Sequence, residues 1–345
     1  MRKVQFFGVR VFAALCVVAL TGVLASESRS AELTPASLRL KWTPQAWYAG
    51  YYVAKAKGWY ADQGIDLTIN PGGPNIIAEN LVAAGADTFG NGGGAASLLV
   101  AREKGLPLVG IGMLHQQTPY RFVALEGSNI KKLSDLKGKT VSTWFTGPQF
   151  MLQAMLKSNG INPRDVQIEA QGPSMDPLIQ HKVDVAIVTV YNEALVLKRR
   201  GILPAAIFNP ADMGVNLPNE SIITSEKVVR ESPNLVQGFM NATLQGWKFA
   251  LENPDETTAI LAREIPGLKP AELKEQLAEI LPLMTYGKAK HTGVALVDRD
   301  AMEAADKFLV ENGVLKKPVD VNAAIDARFW NKVPADQKVV SPKTQ

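Results

Sequence analysis

Three short stretches of this chain place aromatic rings beside hydrogen-bonding side chains. Trp42 is followed by Gln45, Trp47 and Tyr48, Trp144 by Phe145 and Thr146, and Tyr191 by Asn192 and Glu193. A flat ring stacks on an indole or phenol with about 0.5–1.5 kcal/mol beyond the area it buries. The neighbouring amides and hydroxyls can fix the edge of such a ring. A carboxylate such as Glu193 accepts N–H groups in the stronger, charge-assisted way. A fourth stretch, Asn91-Gly92-Gly93-Gly94, offers backbone that a ligand can approach closely. It has neither the Gly-x-Gly-x-x-Gly spacing of a dinucleotide loop nor the Gly-Lys-Ser/Thr of a P-loop, so it is expected to form a cleft wall. These residue types predict capture of a small planar molecule with polar edges.

Each of these residues also has an ordinary structural use. Trp42 and Phe145 can be core. Glu193 can stabilise a helix start through the helix dipole. Tyr51 and Tyr52 share helical spacing with Ala49 and Val53 and are expected inside. The candidate ligand contacts are Trp42, Gln45, Tyr48, Asn91, Gly92, Gln116, Trp144, Thr146, Tyr191 and Glu193. His115, beside Gln116, is placed near the same cleft, and His181 in solvent. The three histidines, 115, 181 and 291, have no metal-ligand spacing. No Gly-x-Ser-x-Gly elbow is present either. No catalytic residue, metal or cofactor is expected.

The elements that must position these residues alternate between strand and helix, with Gly or Pro at the joints, which is the α/β signature. Strands are expected at 38–42, 66–69, 87–90 and 108–113, with helices at 45–57, 75–84 and 95–104 between them. A strand at 121–125 leaves this first unit. A second series follows, with strands at 140–143, 166–169, 183–188 and 205–208 and a helix from Pro148 to Asn159, proline being favoured at a first helical position. The strands at 166–169 and 183–188 are expected to be buried. A strand at 221–224 precedes helices at 233–252, 254–264, 270–281 and 298–312. Two similar units and a helical return suggest two lobes, 36–125 with 217–338, and 126–216. Two chain crossings would form a hinge, with the ligand between the lobes.

The first 30 residues read as an export signal. Arg2, Lys3 and Arg10 precede an apolar run from Val11 to Leu24, with small residues after it. The run is short of the roughly 20 residues that span a bilayer. Cys16, the one cysteine, lies inside this run after Leu15, where lipidation requires a small residue. The mature chain is thus expected to be cysteine-free, without disulfides or a lipid anchor. The formal charge of +4 falls to +1 on cleavage after Ala25, too little for a nucleic-acid binder.

Longer phrases carry a resemblance. Leu40-Lys41-Trp42-Thr43-Pro44-Gln45, then Tyr48-Ala49-Gly50-Tyr51-Tyr52-Val53-Ala54, Lys57-Gly58-Trp59-Tyr60 and Gly64-Ile65-Asp66-Leu67, resemble the opening of the SsuA/THI5-like (NMT1/THI5) solute-binding proteins. Asp135 to Val141, Val183 to Ile187 and Tyr191-Asn192-Glu193 are similar to later parts of that family. The resemblance spans about residues 38–251. It implies a type II periplasmic-binding fold, a periplasmic location, and a monomer that delivers a small molecule to the permease and ATPase of an ABC importer. It further implies a thiamine pyrimidine precursor as ligand, recognised by Glu193, with riboflavin next and sulfonates or nitrate fitting less well. The same superfamily holds a pyrimidine synthase that uses pyridoxal phosphate. A cysteine-rich motif marks that enzyme and is missing from this sequence.

Overall fold

A computed structural model describes Met1 and residues 32–341. The expected signal segment lies outside the described residues, Met1 apart. Ten strands form two five-stranded mixed sheets. The first holds β1 (Thr34–Arg39), β2 (Ile65–Asn70), β3 (Phe89–Gly92), β4 (Leu108–His115) and β10 (Asn219–Ser225), in the order β2-β1-β3-β10-β4. The second holds β5 (Tyr120–Ala124), β6 (Thr140–Thr143), β7 (Gln167–Ala170), β8 (Val185–Thr189) and β9 (Ala206–Phe208), in the order β7-β6-β8-β5-β9.

In the first sheet β1 runs parallel to β2 and β3, while β10 lies antiparallel between β3 and β4. In the second, β6 is parallel to β7 and β8, and β5 is antiparallel to β8 and β9. The strand expected to leave the first unit therefore belongs wholly to the second sheet. The forward crossing is residues 116–119 and the return is residues 209–218. The first ends six residues before the boundary expected at 125, and the second contains the one expected at 217.

Burial does not simply follow position in the sheet, since β4, at the end of its sheet's order, is as buried as the central β8 and β10. All residues of β4, β8 and β10 are buried. β7, expected to be buried, is an edge strand and mostly exposed, because β6 covers one side and nothing pairs with the other. The first strand starts four residues before its expected position, since Thr34 pairs with Ile65 at the start of β2. Lys41 and Trp42 then leave the sheet, and the Trp42 carbonyl accepts the Gly72 N–H at 3.0 Å. The helix expected from Gln45 opens instead as a 3-10 turn at Ala46–Tyr48, followed by a helix at Ala49–Ala56.

The helical return begins its helices where the prolines predict: Pro233–Glu252, Pro254–Glu264 and Pro270–Met284. Pro233–Glu252 packs on Ala49–Ala56 through glycines from both helices. A Cβ on Gly246 would stand 2.1 Å from the Gly50 carbonyl oxygen, so only hydrogen fits there. That close packing fixes the aromatic loop at 42–48 against the first sheet. Among the described residues no helix is long and apolar enough to cross a membrane.

Candidate ligand-binding site

In open α/β sheets ligands lie beyond the carboxyl ends of the parallel strands. Both sheets here present those ends to one another. Asn91 and Gly92 end β3, His115 ends β4, and the antiparallel β10 brings Asn219 and Glu220 to the same edge, with Asn219 opposite His115. From the second sheet come Tyr120 at the start of β5, Thr143 and Trp144 at the end of β6, and Tyr191 just after β8.

Side chains from the two sides meet directly. The rings of Trp42 and Trp144 lie 5.9 Å apart and are tilted by 60°. Trp47 stands edge-on to Tyr191 at 5.0 Å, and His115 lies 5.7 Å from the same tyrosine. Tyr120 lies 6.1 Å from Trp144. Lys41 donates to the Tyr120 hydroxyl at 3.2 Å and is paired with Glu220. The Lys41 ammonium also sits 5.2 Å from the centre of the Trp47 ring, within cation–π range.

The electrostatics follow from burial. Burial works against the Lys41 charge, but the Glu220 carboxylate beside it holds the ammonium protonated, above its ordinary range. Burial pushes the Glu220 carboxyl up, against the pull of Lys41. His115 is pushed down to about 3, first by burial and then by the Lys41 charge, so its imidazole is neutral.

Many buried polar atoms here have no hydrogen-bond partner among the described residues. They include Trp144 Nε1, Tyr191 Oη, Thr143 Oγ1, Asn219 Oδ1, Glu220 Oε2, His115 Nδ1 and the Asn91 amide. Buried polar groups in folded proteins are nearly always hydrogen-bonded. A concentration of orphans between two sheets marks a place where another molecule completes the bonding.

Of the residues expected from the sequence, Trp42, Asn91, Trp144 and Tyr191 fall in this group. Trp42, Gln45 and Glu193 also line a cleft of about 230 Å³ at its mouth, with Asn192, Leu273 and Gln276. Glu193 is buried and tied to its own loop. Its Oε2 accepts from the Thr189 N–H at 2.9 Å and hydroxyl at 2.7 Å, and its Oε1 accepts from Asn192 at 2.8 Å. Tyr48 positions the aromatic loop, its hydroxyl accepting the Trp42 N–H at 2.8 Å.

Gly92 faces protein, with the Glu79 carboxylate and the Ser221 hydroxyl each 2.7 Å from where a Cβ would stand. The glycine loop touches the opposite side of the cleft at Gly93, where a Cβ would lie 2.4 Å from the Thr146 carbonyl oxygen. Thr146 thus contributes its backbone to a contact between the two sides. Gln116 is placed elsewhere. Its amide donates to the carbonyls of Met113 and Leu296, and it borders a separate cavity of about 450 Å³ beside Tyr286 and Phe308. Phe145 is exposed, not core, and His181 is exposed as expected.

Sequence reasoning missed Lys41, Tyr120, Thr143, Asn219 and Glu220 as site residues, and also Glu79. Glu79 is buried and holds the glycine loop by accepting from the Gly93 N–H at 2.9 Å and the Ser97 hydroxyl at 2.5 Å. Alternation at the β6 end and the position of Lys41 beside Trp42 were the available signals. For Glu220 there was none.

Two mixed sheets facing each other across a buried polar site, with a helical return, define the periplasmic-binding-protein fold. The alkanesulfonate-binding protein SsuA from Xanthomonas axonopodis pv. citri, bound to MOPS, shares it with a TM-score of 0.65 at 18% identity, over 86% of this chain and 99% of that one. The chain belongs to the NMT1/THI5-like family, whose model matches residues 45–257. It is similar to the riboflavin-binding protein RibY of Chloroflexus aurantiacus, 30% identical over 86% of each chain. It is also similar to the formylaminopyrimidine-binding protein of Halalkalibacterium halodurans, 28% identical over 83% of this chain and 88% of that protein.

Proposed function

We propose that this protein is the periplasmic solute-binding component of an ABC importer. It is exported by the signal at residues 1–30 and acts as a monomer that delivers its solute to a membrane permease and ATPase. Its two lobes divide at the crossings 116–119 and 209–218 and close around a planar nitrogen heterocycle. The lead ligand is a thiamine pyrimidine precursor of the formylaminopyrimidine kind.

The observation that carries this reading is the set of orphaned polar atoms walled by Trp42, Trp47, Trp144, Tyr120 and Tyr191. Aromatic faces with a few convergent polar groups are the usual make-up of a small-molecule site. Riboflavin is the second reading, supported by the higher identity to RibY. Trp42, Trp144, Tyr191 and Asn91 are the proposed contacts among the residues first singled out. Glu193 and Gln45 shape the mouth.

Binding without turnover separates this reading from a pyrimidine synthase, for which a pyridoxal phosphate absorbance in the purified protein would argue. The deciding experiment is thermal unfolding with formylaminopyrimidine, riboflavin and an alkanesulfonate in turn. A ligand at 100 times its dissociation constant stabilises the fold by about 2.7 kcal/mol. A rise in Tm with formylaminopyrimidine is expected. No rise with either heterocycle would reject the proposal.

A further inference from the structure

The geometry points to Glu220 as the residue that selects the solute: its free carboxylate oxygen accepts an N–H from an uncharged heterocycle, with Lys41 as its resident counter-ion. This deepens the binding reading above and rests on it.

Three observations carry the inference. Glu220 is buried, and while one oxygen pairs with Lys41, the other, Oε2, has no hydrogen-bond partner. A buried carboxylate oxygen is among the most costly atoms to leave without a donor. Second, Glu220 has a φ of 55°, a left-handed conformation that is costly for a residue of this kind. It occurs at the start of β10, past the end of β3 and alongside the last residues of β4, next to the orphaned Asn219 Oδ1. Third, the charges already present disfavour an anion, since the buried carboxyl of Glu79 also acts on Glu220. Lys41 is already matched by Glu220, and the nearby His115 is neutral. An anionic solute would therefore set an unmatched negative charge against Glu220. An uncharged solute with an N–H donor satisfies Oε2, while its acceptor atoms meet Trp144 Nε1 or the Tyr191 hydroxyl. Glu193 is the less suited carboxylate, since both its oxygens are already bonded within its own loop.

The test is titration of the purified protein by calorimetry with formylaminopyrimidine, riboflavin and MOPS as probes. Glu220→Gln is expected to weaken the bound heterocycle about 10- to 100-fold, the range for a hydrogen bond to a charged group. Because Glu220→Gln strands the Lys41 charge, the double variant Lys41→Met/Glu220→Gln removes both charges together, a change that buried pairs often tolerate. It is expected to keep its Tm and still show the loss. Wild-type affinity in the double variant overturns the role of Glu220 while leaving the binding reading intact. Tighter binding of MOPS than of either heterocycle overturns the role of Glu220 and the heterocycle reading with it. A wild-type protein that binds neither heterocycle removes the binding reading and this inference with it.

Discussion

The His115 imidazole, pushed down to about 3 by burial and by Lys41, titrates near 6.5 in the unfolded chain. Between those values the unfolded chain binds one more proton than the folded one. Folding stability therefore falls as pH drops through this window, with a slope approaching about 1.4 kcal/mol per unit. Burial raises the carboxyls of Glu193 and Glu220, which adds a slope of opposite sign. The informative quantity is thus the difference between wild type and His115→Asn. In urea titrations at pH 7 and pH 5 the variant should lose about 2 kcal/mol less than the wild type. An equal loss in both would mean that His115 is not held neutral. At this scale the meeting of Trp42 with Trp144 and of Trp47 with Tyr191 was legible only as residue type, since the sequence sets these rings beside amides and hydroxyls at expected strand ends. The charge pair was not. Lys41 and Glu220 lie 179 positions apart, and nothing in Asn219-Glu220-Ser221 distinguishes a site carboxylate from a loop residue. Glu193 stands just after β8, where a ligand contact is expected, and its oxygens also accept from Thr189 and Asn192 of its own loop.

The glycine loop after β3 and the loop before the helix Pro148–Ser158 meet at Gly93, Thr146 and Gly147. Their backbones come so close that even one methyl group would hold them apart. Gly93→Ala should keep the fold, since the residue sits at the rim of the first sheet, but should weaken whichever heterocycle the protein binds. Calorimetry alongside circular dichroism checks this, and an unaltered affinity would show that the two loops need not touch in the bound state. Elements were legible wherever local chemistry sets them. The helices opening at Pro148, Pro233, Pro254 and Pro270 all start where their prolines stand. Elements set by distant pairing were less so. β1 was displaced by its register with β2, and β5 changed sides because its partners are β8 and β9. β10 carries Asn, Glu, Ser and Thr yet is wholly buried, so its extent could not be read from an apolar pattern.

Across the whole molecule, aromatic and polar side chains meet between the two sheet-bearing halves, and among the described residues two chain segments join the halves. Such an arrangement suits opening and closing on two hinges. Small-angle scattering of the ligand-free protein should give a larger radius of gyration than the protein saturated with formylaminopyrimidine or riboflavin. Identical radii would argue against closure as the binding step. The α/β class and the helical return were legible from alternating runs. The facing of the two sheets depended on pairings that no local pattern records. The place of β10 has a consequence for how the molecule is made. β3 and β4 are each bonded to β10 and not to each other. Until Asn219 to Ser225 has been synthesised, β4 has no way into the first sheet. Contacts between segments so far apart in sequence form slowly. The growing chain is thus kept from completing its first half early.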